Sequence, residues 1–134
     1  MTRIFTIPPA GRPSTERATI ESWKTHPAPA RREDFGFYAT FTNTEAEALK
    51  RGSIPQSMDD RWFICFDGGW LLFFRSWTGH CIFGLRLDAT PDGVQVVESW
   101  VSRDPEQYRG ADIEDDRQLV RHLIDELLLN RPAS

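Results

Sequence analysis

From Asp60 to Asp88 the chain is a succession of apolar, largely aromatic and β-branched runs, Trp62–Phe66, Trp70–Phe74 and Cys81–Leu87, broken by glycine-bearing polar steps. This pattern predicts three antiparallel strands joined by two tight turns. Asp67-Gly68-Gly69-Trp70 and Trp77-Thr78-Gly79-His80 each place glycine where a two-residue hairpin needs positive φ. The expected register sets Phe66 opposite Leu71, Ile64 opposite Phe73 and Trp62 opposite Arg75, then Ser76 opposite Cys81, Arg75 opposite Ile82, Phe73 opposite Gly84 and Leu71 opposite Arg86.

Side chains alternate across a strand, so this register sorts the residues onto two faces. One collects Phe63, Cys65, Trp70, Leu72, Phe74, Cys81, Phe83, Leu85 and Leu87 and is expected to be core. The other collects Trp62, Ile64, Phe66, Leu71, Phe73, Arg75, Trp77, His80, Ile82, Gly84 and Arg86, apolar in the middle with cations and indoles toward its ends.

Around this unit the pattern is less regular. Residues 2–7 read as a short strand stopped by Pro8-Pro9, and Pro13-Ser14 opens a helix over 15–24 with Ile20 and Trp23 as its apolar stripe. Residues 35–41 look like a strand pairing with a sheet edge. Thr42-Asn43-Thr44 before Glu45 and Glu47 is a capping signature for a helix over 44–51, ended by Gly52 and Pro55. Asp88 to Gly93 is a turn and Val94 to Val101 a fourth strand, with room for a bulge between it and the third. Leu119, Val120, Leu123, Ile124, Leu127 and Leu128 repeat at helical spacing, which predicts a C-terminal helix over about 113–129. Glu114, Asp115 and Asp116 favour its first turn, Asn130 and Pro132 end it, and its stripe is expected across the all-apolar face of the sheet.

The expectation is therefore one α+β domain over 1–134: a meander of four or more strands over 60–101, packed by the C-terminal helix, with the N-terminal segment covering part of the other face. Residues 1–34 form a basic, proline-rich arm and 35–134 the core.

Composition narrows the chemistry. A hydrophobic fraction of 40% across 134 residues suffices for a core. A net charge of −4 argues against a duplex nucleic acid as partner, because phosphate contacts need a surplus of Lys and Arg. Arg3, Arg12, Arg17, Lys24, Arg31 and Arg32 concentrate positive charge in the arm. Cys65 and Cys81 fall on one face but on strands separated by a third, roughly 10 Å apart, beyond the reach of a disulfide. Reduced cysteines, no leader and no apolar run long enough to span a bilayer suggest a cytoplasmic protein with no membrane partner.

Arg75 is the first candidate for function. A guanidinium mid-strand between Trp62 and Ile82 must find a partner, since burying it alone costs several kcal/mol. The plainer reading pairs it with Asp60 or Glu98. The sharper one presents its planar fork to a phosphate or carboxylate, with Trp62 or Trp77 stacking on an attached ring and with Thr78, His80 and Arg86 as further donors. Glu98 and Asp104 are candidate general bases should the site be catalytic, and the loop after the fourth strand, bearing Arg103 and Tyr108, would overhang the same end of the sheet. The histidines His26, His80 and His122 have no zinc spacing, the run Asp112 to Asp116 lacks that of a calcium loop, and no cofactor motif occurs, so no metal or cofactor is expected.

Asp60-Arg61-Trp62-Phe63, Gly69-Trp70, Arg75-Ser76-Trp77-Thr78-Gly79 and Ser102-Arg103-Asp104-Pro105-Glu106-Gln107-Tyr108 resemble a group of small bacterial proteins of unassigned function. The resemblance covers roughly the C-terminal half, implies a bacterial cytosolic origin and transfers no mechanism. The leading expectation is a small binding protein for an anionic, nucleotide-like molecule. The alternatives are a protein-partner module, neutralising or assisting another protein or forming a homodimer, and a small hydrolase using a carboxylate base.

Overall fold

A computed structural model describes residues 17–110 and 112–130. The strand expected at 2–7 and the helix start at Pro13-Ser14 lie outside the described residues. The elements run β1 (Arg32–Asp34), β2 (Thr40–Thr42), α1 (Asn43–Arg51), β3 (Trp62–Asp67), β4 (Trp70–Arg75), β5 (Cys81–Thr90), β6 (Gly93–Ser102) and α2 (Ile113–Leu123), which continues as a π-helical turn over Ile124–Leu128. The strands form one six-stranded sheet in the order β1-β6-β5-β4-β3, with β2 also pairing β6, and every pairing is antiparallel. The α+β architecture with a C-terminal helix on the sheet is as the sequence pattern predicts.

Local signals explain most element ends. Thr42 accepts from the Glu45 backbone while Glu45 Oε1 accepts from the Thr42 N–H, the reciprocal cap that starts α1. Asp112 caps α2 by accepting from Glu114 N and Asp115 N. The first hairpin keeps the expected register, Trp62 opposite Arg75 and Phe66 opposite Leu71, through Gly68 and Gly69 at φ +58° and +90°.

The second hairpin differs. Arg75 N donates to His80 O and Gly79 N donates to Arg75 O, so the loop holds four residues, Ser76 to Gly79, rather than two. Phe74 then faces Cys81, Phe73 faces Phe83, and Ile82 is the extra residue of a bulge between them. A one-residue slip moves every following side chain to the opposite face. Phe83, Leu85 and Leu87 consequently join Trp62, Ile64, Leu71 and Phe73, while Cys81 stays with Phe63, Cys65 and Phe74.

The expected placement of the terminal helix is corrected as well. Val120, Leu123, Ile124 and Leu128 pack on the face that holds Trp62, Ile64 and Phe73, where α1 and the buried Phe35, Phe37 and Phe41 complete the main core. The face of Phe63, Cys65 and Phe74 is instead covered by Ala18, Ile20 and Trp23. Those covering residues are not helical: the described part of the helix expected at 15–24 is irregular chain with a turn near Ile20 to Ser22. Of the strand expected at 35–41 only Thr40 and Phe41 are strand, as part of β2; residues 35–39 link it to β1, with Phe37 N donating to the Ser99 hydroxyl and Val96 N to Ala39 O instead of forming an unbroken ladder. The broad turn expected at 88–93 is a tight one, since Thr90 already pairs with Gly93. A second bulge does fall between Arg86 and Leu87, on the strand pair where the longer connection allowed one.

Candidate functional site

One end of the sheet gathers the start of β3, the end of β4, the β4–β5 loop and the chain after β6. There an open cleft of about 720 Å³ is walled on one side by Arg61, Arg75, Trp77 and Thr78 and on the other by the segment Pro105 to Gly110.

Arg75 closes β4 directly opposite Trp62, and its guanidinium sits 4.9 Å from the centre of the Trp62 ring. Trp62 is itself buried and stacks on Phe83 at 5.8 Å, and Phe83 meets Tyr108 edge-on at 5.6 Å, so aromatic rings link Arg75 to the opposite wall. Neither expected ion pair of Arg75 forms. Asp60 accepts from Gln56 N, and Glu98 is paired with Arg86, which leaves Arg75 with no carboxylate partner among the described residues. The aromatic face contributes about 0.5–1 kcal/mol, and among the described residues no acceptor takes the guanidinium's hydrogen-bonding fork.

The wall bearing Trp77 and Thr78 is pinned from behind. Ser76 Oγ donates to Asp60 O at 2.7 Å, Trp23 Nε1 to Ser76 O at 2.7 Å and His26 N to Gly79 O at 2.8 Å. Gly79 lies at φ +80°, and a Cβ there would come within 3.1 Å of Lys24 O, so the N-terminal segment can approach this closely only at a glycine. At the tip, Trp77 Nε1 donates to Met58 O and Arg61 lies 5.9 Å from the centre of the indole, while the indole stays 61% exposed. Thr78 Oγ1 accepts from His80 N.

The facing wall hangs on a buried carboxylate. Asp116 Oδ1 accepts from the Tyr108 hydroxyl and Asp116 Oδ2 from Arg103, each at 2.7 Å, and Asp116 is 0% exposed. Arg103 also donates to Glu33 and to Gly110 O, tying β1, the loop and α2 together. Burial, then the hydrogen bond and charge of Asp116, raise the Tyr108 pKa, with Arg103 and Arg75 pulling the other way. Tyr108 is therefore a neutral donor to Asp116 and not a base. The turn itself is local: Asp104 Oδ1 accepts from Glu106 N, and Asp104 O accepts from Gln107 N and Tyr108 N.

The structure thus brings together Arg75, Trp77 and Thr78, with Trp62 beneath Arg75 as support. It separates the others. Arg86 follows the slip in β5 to the other face, beside Trp70, and is paired with Glu98 and Asp88. His80 stacks on His26 at 4.8 Å behind the loop, its Nδ1 buried with no partner among the described residues. Glu98 is bound to Arg86, and Asp104 is spent on its own turn, so neither lines the cleft. Arg61, Gln107 and Arg109 were not singled out by the sequence pattern, although Arg61 precedes Trp62 and Arg109 follows Tyr108 in stretches that were. No described group of three His, Cys, Asp or Glu residues is placed to hold a metal ion, and no described helix is long and apolar enough to cross a membrane.

No protein-family model, curated protein or solved structure matches the chain.

Proposed function

We propose that this chain is a small binding protein whose Arg75–Trp77 cleft holds an anionic small molecule bearing a flat ring. The observation that carries the reading is Arg75, a guanidinium anchored on Trp62, without a carboxylate partner among the described residues and directed into a cleft that also presents Arg61, Arg109 and a largely exposed indole. A volume near 720 Å³ lies within the range of small-molecule sites, roughly 300–1,000 Å³. The anion takes the guanidinium fork and the ring lies on the open face of Trp77.

Thermal unfolding of wild type and Arg75→Ala against a panel of aromatic phosphates and carboxylates tests this. A ligand at a hundred times its Kd stabilises by about 2.7 kcal/mol. Loss of a charge-assisted contact worth about 1.5–3 kcal/mol should remove most of that shift in Arg75→Ala. Equal shifts in both proteins would rule the cleft out.

A second reading is favoured by the rim, where Met58 and Trp77 are 78% and 61% exposed beside Arg61. Trp and Arg are the residues that dominate interface energies, so a protein partner could use the same corner. It predicts that Met58→Ala weakens partner capture while leaving small-anion binding intact.

A further inference from the structure

Resting on that reading, we infer that the ligand is a phosphate monoester of a nucleoside, a mononucleotide, in preference to an aromatic carboxylate or a nucleoside triphosphate. Charge is the first reason. Among the described lining residues, Arg61, Arg75 and Arg109 against Glu106 leave the cleft at +2, in a chain whose total is −4. A phosphate monoester carries roughly −1.5 to −2 at pH 7 and neutralises that charge, whereas one carboxylate leaves a cation without a counter-charge. A triphosphate, with a charge well beyond −2, overshoots it.

Donor chemistry is the second. Thr78 Oγ1 accepts from His80 N, and its hydroxyl still holds a proton to donate. Gln107 Oε1 accepts from Ser102 Oγ, and its amide NH₂ brings two further protons to donate. With the guanidinium groups, these make a surface of donors, matched by the three acceptor oxygens of a phosphoryl group better than by the two of a carboxylate. Glu106 is the single acidic side chain among the described lining residues, suited to the hydroxyls of a sugar or the N–H of a base. Trp77 supplies one stacking surface only, because Arg61 lies over its ring, so one ring system is bound, not two.

Calorimetric titration of the full chain separates these claims. The probes are the four common nucleoside 5′-monophosphates, adenosine, adenosine triphosphate, inorganic phosphate and indole-3-acetate. At least one monophosphate should bind tenfold or more tighter than each of the other four probes. Trp77→Ala should bring its affinity down to that of inorganic phosphate, and Arg75→Lys, which keeps the charge but not the fork, should weaken it tenfold or more. Preferential binding of indole-3-acetate or of adenosine triphosphate, lost in Arg75→Ala, would overturn the mononucleotide while leaving an anion site at Arg75. Binding of none of the anions would overturn both.

Discussion

Asp116→Ala is the most exacting test of how the cleft wall is held. The carboxylate is fully buried and accepts from Tyr108 and Arg103 at 2.7 Å each, so its removal strands a hydroxyl and unpairs one side of a guanidinium. Breaking a buried pair from one side costs about 3–5 kcal/mol. Arg103 keeps Glu33 and the Gly110 carbonyl, and its side chain is 18% exposed, so water softens the loss and about 3 kcal/mol is expected. Tyr108→Phe leaves one Asp116 oxygen without its donor and should cost about 1–3 kcal/mol. Because both changes delete the same bond, the double variant should fall short of their sum by about 1–2 kcal/mol. Urea unfolding at constant m-value measures all four corners of the cycle. A loss below about 0.5 kcal/mol for Asp116→Ala, or strict additivity, would show that the network is not the desolvated fastening described.

Two further outcomes follow from the core. A Cβ on Gly84 would lie 2.5 Å from the Trp100 indole, so Gly84→Ala should cost about 1–3 kcal/mol, and the cost should largely vanish in a Trp100→Ala background; urea midpoints that ignore the second change would contradict this contact. Burial, then the charge of Asp67, pushes the Cys65 thiol from 9.0 up to about 12, and burial also raises Cys81. Above pH 9 the unfolded chain therefore releases these protons while the folded chain keeps them, so stability falls with rising pH, by about 1.4 kcal/mol per unit for each thiol. Unfolding measured from pH 8 to 11 should show this slope in wild type and a shallower one in Cys65→Ala; matching slopes would refute it.

The parts of the fold that depend on neighbours in the chain were readable. Glycines at 68 and 69 set the first register, Thr42 and Glu45 start α1, and the apolar repeat of Leu119 to Leu128 makes α2. Thr78-Gly79, by contrast, serves a two-residue and a four-residue loop equally well. The choice lies with contacts far along the chain, Trp23 and His26 gripping Ser76 and Gly79. The longer loop shifts the register by two residues and keeps each side chain on its face; it is the bulge at Ile82, one added residue, that exchanged the faces of β5 and removed Arg86 from the site, while the fork of Arg75 stayed where the first hairpin had put it.

The cleft was half legible for the same reason. Its Arg75, Trp77 and Thr78 wall is a continuous stretch whose chemistry stands out in a strand pattern, but its Arg109 wall is a polar loop whose position depends on Asp116 reaching back to Tyr108 and Arg103. Local patterning alone determined the central strands β3 to β6, the helices α1 and α2 and the presence of an arginine among indoles. Which face the terminal helix covers, and which cations share the cleft, were decided only by packing, because alternation fixes the relative order of side chains along a strand but a single added residue reverses the side on which they all fall.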